Sequence, residues 1–144
     1  MPLHLIKLCV GVDTVEELER FRDMRVAERK ARGEPAVSRH VTRMSPKRAE
    51  EVLDGGSLYW VIKRVIQCRQ RIIGLDEVID AEGTKRCAIV MDPEIIRTNP
   101  SPKRPFQGWR YLKDSDAPAD LTAATGGADL PDELRRKLIE IGAW

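Results

Sequence analysis

The stretch from Ser57 to Ile73 constrains the fold most, because its residue types alternate with a period of two. Its even positions are mostly apolar, and its odd positions hold three of its four cations. From position 59 the even set is Trp60, Ile62, Arg64, Ile66, Cys68, Gln70 and Ile72, and the odd set is Tyr59, Val61, Lys63, Val65, Gln67, Arg69 and Arg71. Alternation predicts one long strand with an apolar face and a cationic face. Arg64 interrupts the apolar set, which leaves open a bend, a bulge or two strands joined there.

The remaining elements are predicted from apolar spacing and from their start and stop signals. Thr14 and Glu17 form a capping box at the start of a helix that Gly33 and Pro35 end. Ser45 and Pro46 are typical of the start of a second, brief helix. The sequence predicts strands at 3–12, 37–44, 94–98 and 106–112, a hairpin over 75–81 and 86–91, and helices at 14–33, 45–54 and 131–141.

The order of these elements predicts the fold class. Strands follow one another from Ser57 onward without intervening helices, which favours antiparallel pairing. We therefore expect a single α+β domain over residues 1–144. Its core is predicted to be a curved, mostly antiparallel sheet or a small β-barrel, flanked by about three helices. The polar stretch 114–129, which glycine and proline interrupt, is predicted to be a surface loop or linker before the last helix.

The charge is unevenly distributed, although the net charge is only +2. Residues 57–113 hold 11 Lys and Arg against 6 Asp and Glu, whereas residues 114–144 hold 3 against 7. A basic middle third indicates an anionic partner, but this excess is too small to establish nucleic-acid binding by itself.

The three cysteines, Cys9, Cys68 and Cys87, are an odd number at wide spacing. Reduced thiols in a reducing compartment are therefore expected. No apolar run approaches the length of a membrane span, and the first residues lack the pattern of a signal peptide. These features predict a cytoplasmic protein with no membrane partner, and they predict no oligomeric state.

Three sequence segments carry a resemblance to a known family. They are SLYWVIK at 57–63, RQRI at 69–72 and RPFQGWRYL at 104–112. With the terminal ELRR at 133–136, they resemble an uncharacterised alphaproteobacterial domain of unknown function over the whole chain. That resemblance implies no activity, because the family has none established.

A second resemblance concerns layout alone. The order of helix, basic strand, hairpin and aromatic-bearing strand is similar to that of the PUA-like small β-barrels, which include the ASCH and EVE modules. Members of that group mostly engage RNA or modified bases, so this likeness implies a ligand of that kind.

The cationic face and the proline-rich loop near 99–105 together form the predicted binding site. Cations at two-residue spacing suit a row of phosphates, and aromatic rings suit base stacking. The predicted ligand-binding residues are Tyr59, Lys63, Arg69, Arg71, Lys103, Arg104, Phe106, Trp109 and Arg110. The alternative is that Phe106 and Trp109 belong to the core, with the arginines solvated or paired with nearby carboxylates.

Metal, cofactor and catalytic sites are not predicted. His4, His40 and the three cysteines include no close pair of ligands, so a zinc site is not expected. His40 beside Ser38 and Thr42 is more typical of a structural histidine than of a catalytic base. No cofactor motif is present, because Gly55-Gly56-Ser57 lacks both the preceding strand and the lysine of a phosphate-binding loop.

The function predicted is a non-catalytic binding module for RNA or a nucleotide-like anionic ligand. Its test expects Arg69→Ala with Arg71→Ala to weaken binding at an unchanged fold. One alternative is a small enzyme acting on a modified nucleotide or another anionic metabolite, with a cavity under Pro100 to Pro105 and a carboxylate such as Asp76 or Glu94 beside an arginine. Another is an assembly subunit that docks through its last helix and Trp144.

Overall fold

Seven strands and two α-helices make up the computed structural model, which describes residues 2–121. In chain order they are β1 (Leu3–Leu8), α1 (Val15–Ala31), β2 (Ser38–Thr42), α2 (Ala49–Leu53), β3 (Ser57–Ile62), β4 (Val65–Ile79), β5 (Lys85–Met91), β6 (Ile96–Pro102) and β7 (Trp109–Lys113). The predicted α+β class is confirmed. The third predicted helix, at 131–141, lies outside the described residues.

The alternating stretch is a hairpin. β3 and β4 pair in antiparallel register on either side of Lys63 and Arg64. Both turn residues have positive φ angles, 53° and 65°, as a two-residue type I′ turn requires. The prediction of one long strand is therefore wrong, and the alternative of two strands joined at Arg64 is confirmed. Lysine and arginine rarely occupy such left-handed positions, so the usual Asn-Gly signal of a hairpin was missing.

All seven strands belong to one mixed sheet of order β2-β5-β4-β3-β1-β7, with β6 paired to β4 off this path. The pairing of β1 with β3 is parallel, and the other strand pairs are antiparallel. Parallel pairing requires a crossover, which here contains α1, β2 and α2. Within residues 2–121 the sheet is open, and the closed barrel predicted as an alternative is not observed there.

β4 organises the sheet because it is long enough to pair with three strands. Its first half lies between β3 and β6, and from Ile72 onward it pairs with β5. Register shifts between Ile66 and Cys68 and between Ile72 and Gly74 interrupt its ladders, and such bulges bend a strand. β6 includes Pro100 and Pro102, so the predicted proline-rich loop is shorter than expected.

Apolar side chains fill both faces of the central strands. On the face that carries the helices, Leu5, Leu58 and Trp60 form one core cluster with Val15 of α1 and Val52 of α2. The opposite face holds a second cluster, made of Ile6, Tyr59, Val61, Ile66 and Leu112, against which Phe106 and Ala117 pack. The odd positions of the alternating stretch therefore belong partly to a core.

The segment after β7 is attached to β6. Asn99 donates its backbone N–H to the Ala119 carbonyl and Leu121 donates to the Arg97 carbonyl, each at 2.8 Å. Residues 114–121 are thus a fixed surface segment, and the rest of the predicted loop lies outside the described residues. Neither α1 nor α2, the α-helices of residues 2–121, is long and apolar enough to cross a membrane.

Candidate functional site

A cleft of about 520 Å³ lies between α1, the end of β1 and β2. Of the 17 residues of α1, only Val15 is buried. Leu18 is partly buried, and the Phe21 side chain farther along the same helix is 40% exposed. The apolar face of α1 therefore meets the sheet only at its first turns, and the helix leaves a space beside the sheet farther on. The volume is within the range of small-molecule sites.

Six cations and one carboxylate line this cleft. The cations are Lys7, Arg22, Arg25, Arg29, Arg32 and Arg39, and the carboxylate is Glu28. Three arginines of α1, at positions 22, 25 and 29, and the C-cap residue Arg32 follow one another at spacings of three, four and three residues, which places them on one face of the helix. That row is about 15 Å long at the rise of an α-helix. The cleft lining is therefore cationic, although Arg22 forms an ion pair with Asp23 and both Arg29 and Arg32 form ion pairs with Glu34.

Three of these arginines are held by oxygens of neighbouring loops or turns. Their partners are the Pro93 carbonyl for Arg22 (3.0 Å), the Pro35 carbonyl for Arg29 (2.8 Å) and the Glu34 carboxylate for Arg32 (2.6 Å). By contrast, Lys7, Arg25 and Arg39 make no side-chain hydrogen bond or ion pair with any residue in 2–121. These three cations are available to an external anion.

His40 lies at the inner end of the cleft. Its ring packs edge-on against Trp60, with the ring centroids 5.2 Å apart and the planes at 87°. Its Nε2 atom is buried and has no hydrogen-bond partner within the described part of the chain. Buried polar atoms without partners are rare in proteins, because each leaves a desolvation cost uncompensated.

Burial, and to a smaller extent the charges of Lys7 and Arg25, lower the pKa of His40 to about 4. The ring is therefore neutral at pH 7. Burial also raises the pKa of the Cys9 thiol to about 11, although the same two cations oppose this shift. Cys9 lines the cleft as a protonated thiol, which is a weak nucleophile.

The floor of the cleft is a buried hydrogen-bond network centred on Gln70. Its side-chain carbonyl accepts from Trp60 Nε1 at 3.0 Å, and its amide nitrogen donates to Ser38 Oγ and to the Asp92 carbonyl, both at 3.1 Å. All polar groups of this amide are used. The network fixes the Trp60 ring and the start of β2, so the inner end of the cleft is rigid.

Acidification is expected to destabilise the fold through His40. The pKa is about 4 in the folded protein and 6.5 ordinarily, so the unfolded chain takes up its proton first as the pH falls. The stability contribution of the neutral ring is present above pH 6.5 and is lost as the pH falls towards 4. Discounted for partial solvent access, the expected loss between pH 7 and pH 5 is about 1 kcal/mol.

Urea unfolding at both pH values, compared between the wild-type protein and His40→Gln, measures this effect. The variant should lose less stability on acidification than the wild type does. Equal losses would show that His40 is not held neutral by the fold.

The residues predicted from the sequence are divided between the two faces of the sheet. Arg69 donates two hydrogen bonds to the Asp120 carboxylate and one to Ser57 Oγ, all at 2.8 Å. This pairing lowers the pKa of Asp120.

Tyr59, which pairs with Arg69 in register, is buried. Lys63 lies in the hairpin turn and forms an ion pair with Asp13 at 3.1 Å.

Phe106 and Trp109 pack against different core clusters. Phe106 contacts the second cluster, and the Arg110 guanidinium lies over its ring at 5.6 Å. Trp109 packs against the first cluster and donates from Nε1 to the Met44 carbonyl at 2.8 Å. Both rings are partly buried against core clusters, and base stacking on them stays a prediction.

Lys103 and Arg104, which follow the end of β6, remain from the predicted site as a cationic surface. Arg71 is not part of it, because it lies six residues along β4 from Val65, the partner of Pro102. Arg71 and Arg104 are exposed, and Lys103 is half-buried. None of the three side chains forms an ion pair with another residue between positions 2 and 121. Ligand binding at this surface stays a prediction.

Sequence reasoning missed the cleft because it predicted the binding site on the cationic face of the alternating stretch and in the proline-rich loop. Residues 1–56 hold 11 Lys and Arg against 10 Asp and Glu, so their net charge gives no signal. The available signal was spacing, because Arg22, Arg25, Arg29 and Arg32 share one helix face. What the sequence could not give is that this face lies over β2 and the end of β1.

A second polar cluster links His4, Asp114 and Ser57. The buried His4 ring hydrogen-bonds the Asp114 carboxylate through Nε2 at 2.8 Å and accepts the Ser57 backbone N–H at Nδ1 at 3.0 Å. Neither nitrogen is left to act as a base, and the Ser57 hydroxyl accepts from Arg69 instead. This cluster is structural. The described residues hold no group of three or more His, Cys, Asp and Glu that could bind a metal ion.

The protein has an α+β fold with an open mixed sheet. A cationic cleft lies between that sheet and the long helix α1. The chain belongs to the family described as "Protein of unknown function (DUF1489)", whose sequence model matches residues 5–144. The predicted membership of an uncharacterised family is thus confirmed. Comparison with curated proteins found no significant match, and neither did comparison with solved structures.

Proposed function

We propose that this protein binds an anionic, nucleotide-like ligand in the cleft between α1 and the sheet. The observation that carries the proposal is that Lys7, Arg25 and Arg39 line one cleft without an ion pair or a side-chain hydrogen bond to residues 2–121. Like charges held close together repel one another, and the repulsion grows where water is partly excluded. An anion bound between them would relieve that repulsion and would gain charge-assisted hydrogen bonds.

The walls of the cleft favour a ligand that also has an apolar, planar part. Leu18 and Phe21 of α1 and Val12 line the cleft together with the cations. The Phe21 ring is 40% exposed, so part of its surface is available for stacking. A nucleotide combines a phosphate with a planar base. A short RNA is the extended form of the same ligand, and the arginine row of α1 suits its successive phosphates.

Binding is favoured over catalysis by the state of the groups in the cleft. The raised pKa of Cys9 keeps its thiol protonated, and His40 has no carboxylate to orient it among residues 2–121. The enzyme alternative requires a cavity under Pro100 to Pro105, and no residue of that stretch lines this cleft. The assembly alternative depends on the last helix and Trp144, which lie outside the described residues.

Titration with labelled ligands at several salt concentrations tests the proposal. Fluorescence anisotropy should detect binding of a mononucleotide or a short single-stranded RNA at low salt. If an RNA engages the three unpaired cations, the slope of log K against log salt should be about −2. Native mass spectrometry of protein purified from its own host would show whether such a ligand co-purifies.

Absent binding to both ligands at low salt, or affinity that does not change with salt, would contradict the proposal. A neutral nucleoside is the matched control, because it retains the base and lacks the phosphate. It should bind far more weakly than the mononucleotide.

A further inference from the structure

We infer that the inner end of the cleft is a subsite for a terminal phosphomonoester, held by Lys7, Arg25 and the ring of His40. This inference rests on the proposed function and specifies which anionic group occupies the deepest part of the cleft. It predicts that the protein distinguishes a phosphorylated nucleotide end from a hydroxyl end.

The position of His40 is the first argument. Its Nε2 atom is closed to solvent and has no partner among residues 2–121, and His40 is one of the residues that line the cleft. A neutral imidazole carries one N–H, which can reside on Nε2 and donate to an oxygen. A phosphate oxygen that reaches Nε2 when the ring turns towards the ligand would supply the missing partner and remove the cost of the unpaired buried nitrogen.

Charge balance is the second argument. Lys7 and Arg25 both line this end, and their charges act on the His40 ring and on the Cys9 thiol alike. A phosphomonoester carries a charge of about −1.5 to −2 at neutral pH, because its second pKa is about 6. A phosphodiester or a carboxylate carries one negative charge. Two unpaired cations therefore match a terminal phosphate better than either of these groups.

The other groups around His40 among residues 2–121 do not supply the negative charge that would balance Lys7 and Arg25. Directly after β1 the neighbour is Cys9, which is a neutral thiol, and on β2 it is the cation Arg39. On α1 the carboxylate of Glu28 lines the cleft but is exposed and lies in a row of arginines. Trp60 of β3 contributes the edge-on ring contact and no charge.

Ligand binding should therefore change the protonation of His40. A phosphate dianion beside the ring opposes the effect of Lys7 and Arg25, so the pKa of His40 should rise from its lowered value. A residue with a purely structural role would show no such change when ligand is added. NMR titration of the His40 ring, with and without bound ligand, measures it directly.

Two pairs of oligoribonucleotides test the subsite. The members of a pair have the same sequence, but one ends in a phosphate and the other in a hydroxyl. The phosphate is at the 5′ end in the first pair and at the 3′ end in the second, so both orientations are covered. We expect at least a tenfold tighter affinity for the phosphorylated member of one pair. Inorganic phosphate should compete with that member, whereas acetate at the same ionic strength should not.

The variants His40→Ala and Lys7→Gln should each reduce this preference towards onefold. Lys7→Gln is included because it leaves the buried ring in place, so a folding defect of His40→Ala cannot decide the outcome. Arg32→Gln is the matched control, because Arg32 lines the outer cleft and pairs with Glu34. It should weaken both oligonucleotides to the same extent.

The possible failures are distinguishable. If both members of each pair bind equally well, or if the preference survives in both variants, the subsite is overturned while the proposed function stands. Equal competition by phosphate and acetate also counts against the subsite. If no oligonucleotide and no mononucleotide binds, the proposed function fails and the subsite fails with it.

Discussion

Lys7→Glu combined with Arg25→Glu is expected to weaken binding of the anionic ligand by about a hundredfold or more. The double variant removes two unpaired cations from the cleft and places two carboxylates there. Each lost charge-assisted contact costs about 1.5–3 kcal/mol, and the new repulsion adds to this loss. Fluorescence anisotropy with the mononucleotide at low salt measures the change.

Stability should change little in this double variant. Neither Lys7 nor Arg25 has an ion pair or a side-chain hydrogen bond within residues 2–121, so the substitutions break no such contact. Both carboxylates would face the remaining arginines of the cleft, which is a favourable arrangement. An unchanged thermal midpoint would show that the loss of binding arises in the site and not in the fold.

A matched double variant on the other cationic surface separates the two candidate sites. Lys103→Glu with Arg104→Glu changes the net charge by the same amount, and neither side chain has an ion pair in the described residues. At an ionic strength of about 0.1 M it should leave affinity within about threefold, because the Debye length is then about 10 Å and charges farther apart are screened. The reverse result would place the ligand on the surface predicted from the sequence and would contradict the cleft.

The variant Arg69→Ala differs from these two double charge reversals, because Arg69 has partners in the fold. The sequence predicts that it weakens binding at an unchanged fold when combined with Arg71→Ala. Arg69 instead ties β4 to Asp120 and Ser57, and its loss would leave a partly buried carboxylate without a partner. Reduced binding by that double variant would therefore need a stability measurement before it could be assigned to the surface.

Most helices and strands could be predicted from local patterns in the sequence. Period-two alternation located the residues of β3 and β4, the capping box of Thr14 located α1, and the residues near Glu82 and Gly83 located the hairpin of β4 and β5. Such signals act over a few residues and are therefore visible in one sequence. The turn at Lys63 and Arg64 was less visible, because its left-handed backbone is imposed by strand pairing and not by residue preference.

The candidate site could be predicted less well, because it depends on contacts between residues that are far apart in the sequence. An alternating strand has one solvated face only if nothing covers it, and here Phe106 and Ala117 pack on the second face. The cation at position 69 looked available because its partner, Asp120, is 51 residues away. In contrast, the arginines of α1 looked solvated because the sequence does not show what lies opposite them.

Gly56→Ala is expected to destabilise the protein by about 3 kcal/mol or more, or to prevent folding. A Cβ atom at Gly56 would lie 2.3 Å from the carbonyl oxygens of both Leu3 and Val52, and both are backbone atoms. Backbone atoms cannot move aside as the end of a flexible side chain can, so β1 or α2 would have to shift. Overpacking of this kind costs about 1–3 kcal/mol even where side chains alone must adjust.

Hydrogen bonds at the same residue add to the expected loss. The Gly56 N–H donates to the Val52 carbonyl at 2.9 Å, and the Gly56 carbonyl accepts from the Ile72 N–H at 3.0 Å. Both bonds are within the buried junction of α2, β3 and β4, so a shift that relieves the Cβ contact would weaken them. Each buried bond left unmade costs about 1–3 kcal/mol.

Two other glycines supply the controls. A Cβ at Gly74 would approach only the Val90 side chain, at 3.4 Å, so Gly74→Ala should cost less than about 1 kcal/mol. Gly55 has a φ of +89°, and a Cβ there would meet only the Pro2 side chain, at 3.9 Å, so Gly55→Ala should cost about 1 kcal/mol through backbone strain. Urea unfolding of the three variants should therefore rank Gly56→Ala as clearly the most destabilising.

A cost for Gly56→Ala similar to that of Gly74→Ala would mean that the close approach of α2, β1 and β3 at this residue does not occur. The same variant also separates fold from site, because the junction lies at Leu3, the opposite end of β1 from Lys7. Molecules that fold despite the substitution should therefore bind the ligand with unchanged affinity. Binding should be lost only in proportion to the unfolded fraction, whereas the double charge reversal in the cleft removes binding from a fully folded protein.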